Sequence, residues 1–211
     1  MRLILDLDNT LYPAKCNLIR DIETRISQFV ALKLNLDFDE GDRLRREYFI
    51  KYGTTVTGMK VLYDVPPAEF YEYTHQIDIH DYISTDEALR ATLQRIGIPM
   101  SVFTNSPLSY ATQVLEVLGI DDLMDGVYCI EFSEFISKPT PLGYEKLHRE
   151  LSLGETGAIM VDDQPRNLVP GVKLGWKAIR YNEDGMREPD ERFVEITTLD
   201  ELPEAIERVT D

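Results

Sequence analysis

The chain is poor in cysteine and has no long apolar run, and both shortages exclude classes of protein. Its two cysteines, Cys16 and Cys129, form no Cys-x-x-Cys pair and have no histidine-rich neighbourhood. The sequence therefore predicts neither a disulfide-stapled miniprotein nor a zinc site, and both thiols are expected to be buried small hydrophobes. Since no apolar run approaches the roughly 20 residues that cross a bilayer, we expect no membrane partner and a cytoplasmic, reducing location.

Positive charge is also scarce, because 22 Lys and Arg residues stand against 38 Asp and Glu residues, for a formal net charge of −16. Proteins bind nucleic-acid backbones and anionic membranes through Lys and Arg side chains that displace counterions. We therefore expect no polymeric nucleic acid as a partner. A small phosphorylated metabolite remains a candidate, because a metal ion and a few local donors can overcome the overall field at one site.

The remaining composition is that of an ordinary globular protein, so the fold must be read from the order of its elements. Short apolar runs typical of buried strands alternate with segments of helical spacing, which predicts an α/β fold: a Rossmann-like parallel sheet with helices on both faces. The predicted strands are 3–7, 100–103, 127–130, 158–161 and 177–181, and the predicted helices between them are 85–96, 107–118, 140–151 and 165–174.

Residues 14–84 interrupt this alternation, because they contain no clear strand run and are far longer than a crossover requires. Their apolar residues, such as those in 18–34, recur instead at helical spacing. The sequence therefore predicts an α/β core formed by residues 1–13 and 85–211, with an inserted helical domain at 14–84. A last amphipathic helix is predicted near 200–209, capped by Asp200.

Side chains that can act in catalysis or bind a ligand lie at the ends of three of the predicted strands. Ligands of parallel sheets bind beyond the carboxyl ends of the strands, where these side chains are expected to meet. Asp6 and Asp8 end the first strand, where one carboxylate could attack phosphorus while the other protonates the leaving oxygen. A plain metal ligand or a solvated turn is the alternative interpretation of this Asp-x-Asp pair.

Three later motifs favour a phosphate site. Thr104 begins a loop before a helix, where a hydroxyl and backbone N–H groups can bind phosphate oxygens, although it could be only a helix cap. Lys138 could neutralise a phosphate and a nucleophile, or be a surface charge. The pair Asp162-Asp163 could complete an oxygen-rich site suited to magnesium, or form a turn.

These four motifs, in this order, resemble those of the haloacid dehalogenase-like hydrolases. The resemblance covers residues 3–174 and implies the fold described above, with the insertion in the place of that superfamily's type-one cap domain. It implies that Asp6 is the nucleophile that becomes an aspartyl-phosphate and that Asp8 is first general acid, then general base. The implied activity is that of a magnesium-dependent phosphomonoesterase.

The resemblance also implies the ligands of the site. The transferring phosphoryl group would be bound by Thr104, Asn105 and Lys138. Mg²⁺ would be held by the residues Asp6, Asp8 (through its carbonyl oxygen) and Asp163, with Asp162 acting through water.

Several activities of similar proteins remain as alternatives. Asp8 argues against dehalogenation, because dehalogenases of the superfamily lack a second Asp in the first motif. Phosphonate cleavage would need a cap lysine as a Schiff base, whereas the lysines in 14–84 are more often solvated helix charges. A phosphomutase shares all four motifs. A non-catalytic scaffold protein is disfavoured by the intact set of motif residues.

A second resemblance concerns the substrate. The segments 8–13, 51–58 and 161–167 look like those of the pyrimidine 5′-nucleotidase subgroup. This likeness implies nucleoside 5′-monophosphates as substrates, with pyrimidines preferred, and substrate contacts from Tyr52, Thr54 and Thr55 in the cap. Tyr12 is a further candidate to stack on a base. Sugar phosphates are the alternative substrates, in which case the cap segment only closes the site.

Overall fold

The computed structural model describes residues 1–154 and 157–210. They divide into two compact units, one formed by Met1–Cys16 with Ile83–Asp211 and the other by Asn17–Tyr82. The first boundary lies after Cys16 because the 3₁₀ turn Ala14–Cys16 is attached to the first unit. The backbone N–H of Ala14 donates to Glu183 Oε2 at 2.8 Å.

The first unit is built on a parallel sheet, which confirms the predicted α/β class. Among the described residues the sheet has six strands in the order β3-β2-β1-β4-β5-β6, all parallel. The strands are β1 (Arg2–Leu5), β2 (Met100–Phe103), β3 (Gly126–Tyr128), β4 (Ala158–Asp162), β5 (Lys177–Tyr181) and β6 (Val194–Ile196). Strand β6 was not predicted, because only Ile196 of its three residues is fully buried and so short a run has no clear period.

Helices connect these strands and cover the sheet. The strand order changes direction at β1. With right-handed crossover connections, the helices on the two sides of this switch cover opposite faces of the sheet. The helices of this unit are α5 (Glu87–Gln94), α6 (Leu108–Leu118), α7 (Pro141–Glu150), α8 (Pro165–Lys173) and α9 (Leu202–Thr210). The apolar core against one face includes Phe103, Tyr144 and Trp176, which are all buried.

The strand register brings the predicted site motifs to one edge of the sheet. Leu5 of β1 pairs with Val102 of β2 and with Val161 of β4. The chain runs outward from β1 to β2 and β3 on one side and from β4 to β5 and β6 on the other. Parallel sheets form their ligand-binding crevice at such a switch point, beyond the carboxyl ends of the strands. The residues that follow Leu5, Val102 and Val161 therefore lie together at the carboxyl end of β1.

The second unit consists of α1 (Leu18–Leu34), α2 (Phe38–Tyr52), α3 (Thr55–Tyr63) and α4 (Pro67–Thr74). Helices α1 and α2 approach closely at Gly41, where an added Cβ would lie 2.7 Å from Ala31 Cβ and from Ser27 O. Phe29 of α1 packs edge-on against Phe70 of α4, with ring centroids 5.2 Å apart. In residues 1–154 and 157–210, every helix is too short or too polar to span a bilayer.

The start of the last helix differs from the prediction. A 3₁₀ turn, Leu199–Glu201, leads into α9, and Thr198 rather than Asp200 caps it. Glu201 Oε1 accepts from the Thr198 backbone N–H at 2.9 Å, which completes a capping box. The cap assigned to Asp200 is wrong, because the Thr-x-x-Glu pattern satisfies two N–H groups at once.

Candidate active site

Asp6 is the first residue after β1, and its carboxylate is buried with donors on both oxygens. Its backbone N–H donates to Val161 O at 2.9 Å, which continues the pairing of β1 with β4. Lys138 Nζ donates to Oδ1 at 2.7 Å, and Thr10 Oγ1 donates to Oδ2 at 3.2 Å. The side chain of Asp6 is therefore fixed in orientation at the carboxyl edge of the sheet.

Lys138 is not a surface charge, because its residue is only 4% exposed. Besides Asp6, its ammonium donates to Asp162 Oδ2 and to Phe103 O, each at 2.8 Å. Asn105 fixes the backbone of this lysine by accepting from its N–H at 2.7 Å and donating to its carbonyl oxygen at 3.3 Å. All three N–H bonds of the ammonium are thus directed at acceptors.

Asp6, Asp162 and Asp163 form a buried acidic cluster, with one carboxylate oxygen of each within 4.8 Å of the others. The oxygens of Asp162 are already occupied by protein donors: the Gln164 N–H at 2.8 Å, the Asn167 amide at 3.0 and 3.1 Å, and Lys138. Asp163 Oδ2 accepts from the Gln164 amide at 2.5 Å and lies 3.0 Å from an Arg187 guanidinium nitrogen. The described donors therefore reach both oxygens of Asp162, whereas at Asp163 they reach Oδ2.

Negative charge exceeds positive charge in this cluster. Burial raises the pKa of Asp6 well above its ordinary value, and Asp162 adds to this more than Lys138 opposes it. Burial, with Asp162, also raises the pKa of Asp163 to about 6. Burial alone would lower the pKa of Lys138, but Asp162 and Asp6 outweigh it and keep the ammonium protonated. Hard carboxylate oxygens with an excess of negative charge suit a cation such as Mg²⁺.

Asp8 occupies a different environment, in which hydroxyl groups donate to both of its oxygens. Tyr12 and Tyr110 donate to Oδ1 at 2.5 and 3.0 Å. Ser106 donates to Oδ2 at 2.5 Å, and Thr104 donates to the same oxygen at 3.4 Å. Burial, together with the charge of Asp8, raises the pKa values of Tyr12 and Tyr110 well above the ordinary value of a phenol. Both phenols therefore stay protonated and remain donors.

Tyr12 and Thr104, two candidates for substrate contacts, are both buried beside Asp8. Tyr12 was considered as a residue that stacks on a base, but it is only 2% exposed and its hydroxyl is bound to Asp8, so that expectation is wrong. Thr104 is only 1% exposed, and its Oγ1 also accepts from the Ser106 N–H at 3.0 Å. Its hydroxyl therefore orders the loop after β2 as well as contacting Asp8.

The three substrate candidates in the second unit have local roles in the structure. Thr54 caps α3 by accepting from the Thr57 N–H at 3.2 Å. Thr55 is buried and donates to Arg45 O at 3.0 Å. The Tyr52 ring is partly exposed and contacts the Tyr48 ring edge-on, with centroids 6.2 Å apart.

Several residues of the site were not predicted from the sequence. Ser106 follows Thr104 by two positions, and this proximity could have indicated it. Asn167 lies in the first turn of α8, five residues after the carboxylate that it contacts. Tyr110 and Arg187 lie 102 and 24 positions from their partners, and only the folded chain brings these pairs together.

Fold and site together define an α/β protein whose buried acidic site lies at the carboxyl ends of its parallel strands. A family model described as haloacid dehalogenase-like hydrolase matches residues 2–175. The chain belongs to the haloacid dehalogenase-like hydrolases, which confirms the family resemblance of its motifs.

Comparison with individual proteins agrees with this family. Phosphate metabolism protein 8 of Saccharomyces cerevisiae is 32% identical over 191 residues, covering 81% of this chain and 58% of that protein. Validoxylamine A 7′-phosphate phosphatase of Streptomyces hygroscopicus subsp. limoneus is 27% identical over 110 residues, covering 51% of each chain. The chain thus spans little more than half the length of these curated relatives. The crystal structure of a HAD phosphatase from Thermococcus onnurineus shares the fold, with a TM-score of 0.67, 19% identity and 97% of each chain covered.

Proposed function

We propose that the protein is a magnesium-dependent phosphomonoesterase acting on a small phosphorylated metabolite. One observation carries this proposal: Asp6 accepts from a buried ammonium, whereas the donors to Asp8 among the described residues are hydroxyl groups. The two carboxylates of the Asp-x-Asp pair therefore have different surroundings, as a nucleophile and a proton donor require.

The reaction follows from these positions. An oxygen of Asp6 attacks the phosphorus, so that an acyl-phosphate bond forms between Asp6 and phosphorus while the bond from phosphorus to the alcohol oxygen breaks. Asp8 gives its proton to that alcohol oxygen. Asp8 then takes a proton from water, whose oxygen attacks the phosphorus and releases inorganic phosphate and free Asp6. Lys138 neutralises negative charge beside the nucleophile in both steps.

The acidic cluster fits the proposed magnesium ion. Asp6, the carbonyl oxygen of Asp8 and Asp163 would hold it directly, while Asp162 orients Lys138 and acts on the ion through water. When bound, magnesium neutralises charge on the phosphoryl oxygens and orients them for in-line attack. Thr104 and Asn105 would complete the phosphoryl site together with Lys138, since Thr104 contacts Asp8 and Asn105 is bonded to the backbone of Lys138.

We propose that the substrates are nucleoside 5′-monophosphates, with pyrimidines preferred. We also propose that the second unit is a type-one cap domain. The likeness of segment 51–58 to pyrimidine 5′-nucleotidases supports this proposal. Tyr52 and Thr54 would contact the base, and Thr55 would hold the segment through its bond to Arg45 O. A sugar phosphate is the second candidate, favoured by the name of the Streptomyces relative, which is a phosphatase of validoxylamine A 7′-phosphate.

A panel of phosphate monoesters, ranked by kcat/KM with and without Mg²⁺, tests the proposal. Uridine, cytidine and adenosine 5′-monophosphates are compared with small sugar phosphates, and transfer of labelled phosphate within a sugar phosphate identifies a phosphomutase. Thr54→Ala should reduce the preference among bases by about tenfold, the scale of one unpaired hydrogen-bonding group. Thr24→Ala, which removes an exposed helix hydroxyl of the same unit, is the matched control. Better turnover of sugar phosphates would overturn the nucleotide assignment but not the phosphomonoesterase.

A further inference from the structure

Tyr12 and Tyr110 form a buried pair of phenols directed at one oxygen of Asp8. Their hydroxyl oxygens are 2.9 Å apart, and both reach Asp8 Oδ1, at 2.5 and 3.0 Å. Each residue is only 2% exposed. Tyr12 belongs to the loop after β1, whereas Tyr110 lies in the first turn of α6, so two separate elements meet at this oxygen.

The second oxygen of Asp8 is held from another direction. Ser106 donates to Oδ2 at 2.5 Å, and its own N–H is fixed by Thr104 Oγ1 at 3.0 Å. Donors from different elements on the two oxygens prevent the carboxyl group from rotating about its last side-chain bond. Burying several hydroxyl groups around one carboxylate is costly unless each is hydrogen-bonded, and here each lies within hydrogen-bond distance of an Asp8 oxygen.

We infer that Tyr12 and Tyr110 are positioning residues that hold Asp8 in the orientation its proton transfers require. This inference rests on the proposed phosphomonoesterase activity. A general acid acts only when its oxygen is within hydrogen-bond reach of the leaving group, so loss of orientation should slow proton transfer without loosening substrate binding.

The role of the pair predicts a specific kinetic signature. Tyr12→Phe and Tyr110→Phe keep the ring volume and remove one hydroxyl each. For an alkyl phosphate, whose poor leaving group needs a proton, each variant should lower the single-turnover rate of alcohol release by about tenfold, a part of the ~10²–10⁴-fold that general acid catalysis supplies. For 4-nitrophenyl phosphate, whose leaving group needs little protonation, that rate should change less than threefold, and the half-saturating substrate concentration should stay constant for both esters. The single-turnover rate measures the first step alone, because the later attack of water, which also needs Asp8, is common to both esters.

Because the phenols act as one unit, the double variant should lose less than the product of the two single losses. Tyr63→Phe is the matched control: it removes a phenol from another tyrosine pair, in which the Tyr63 and Tyr48 hydroxyls are 2.7 Å apart, in the second unit. This control should leave the single-turnover rate of alcohol release unchanged for both esters. Thermal unfolding of every variant shows that the fold is retained, and if Tyr12→Phe does not fold, Tyr110→Phe carries the same comparison.

The outcomes separate the two claims. Wild-type protein that hydrolyses neither ester with Mg²⁺ would overturn the proposed function, and this inference with it. Active wild type, with folded tyrosine variants whose single-turnover rates of alcohol release fall equally for both esters or do not fall, would overturn the inference alone. A selective loss on the alkyl ester supports it.

Discussion

The ammonium of Lys138 lies 2.7 Å from Asp6 Oδ1 and 2.8 Å from Asp162 Oδ2, and all three groups are buried. One cation thus bridges two carboxylates, one on the residue that follows β1 and one at the end of β4. In a buried site, removing one charged partner leaves the others unpaired, which is far more costly than breaking a surface ion pair.

Replacing Lys138 with Met should therefore destabilise the protein strongly. The expected loss is about 3–5 kcal/mol in unfolding free energy at pH 7 without Mg²⁺, the usual scale for a buried charge left unpaired. The measurement is urea unfolding in the presence of a chelator. Lys146→Met is the control, because that lysine pairs with Glu134 on the surface, and it should change stability by less than about 1 kcal/mol. Equal losses for both variants would contradict the interpretation of Lys138.

The acidic pair should respond unequally to amide substitution. Asp163→Asn removes a direct cation ligand in our account and should raise the half-saturating Mg²⁺ concentration by more than about 100-fold. Asp162→Asn should raise it by only about 10-fold, the lower end of the range for residues that act through other ligands. The larger effect of Asp162→Asn should be a lower free energy of unfolding, because this substitution weakens the hydrogen bonds from Lys138 and Asn167. Titration of activity with Mg²⁺ measures both, and the opposite order would assign the direct ligand to Asp162.

His75 should make stability depend on pH independently of the active site. Burial, together with Arg25, lowers its folded-state pKa to about 3, whereas an unfolded histidine has a pKa near 6.5. The unfolded chain therefore binds the additional proton between these values, so stability falls as pH drops from about 6.5 towards 3. At pH 5 the expected contribution is about 1–2 kcal/mol relative to pH 7.

The comparison for this prediction uses two histidine variants. His75→Gln should reduce the loss of unfolding free energy between pH 7 and pH 5. His80→Gln, at an exposed histidine of the same unit, should keep the wild-type loss. If His75→Gln loses as much stability as wild type over this range, the titration of His75 does not control acid sensitivity.

Local sequence signals predicted much of the fold. The bounds of α1, β2 and β5 are those of the predicted segments, because an amphipathic period or a short, mainly apolar run indicates them locally. The sheet edge that gathers Asp6, Thr104 and Asp162 was also predictable, since parallel strands place their carboxyl ends together.

What could not be predicted depends on contacts between distant residues. Nothing near Tyr110 in the sequence indicates that its hydroxyl meets Asp8, because α6 must first pack beside the loop that follows β1. Arg187 likewise reaches the Asp163 carbonyl oxygen, at 2.8 Å, from a loop without a helical or strand period. The assignment of Tyr12 to base stacking failed for the same reason: its burial is decided by its neighbours in space.

The central claim is that Asp6 attacks the phosphorus, and acid quenching during turnover tests it most directly. Wild-type protein is mixed with Mg²⁺ and a substrate labelled in its phosphoryl group, then quenched in acid, digested and analysed by peptide mapping. We expect label on the Asp6 side chain, lost on treatment with hydroxylamine, and neither label nor turnover in folded Asp6→Asn. Substantial turnover by Asp6→Asn, or label on another residue, would contradict it.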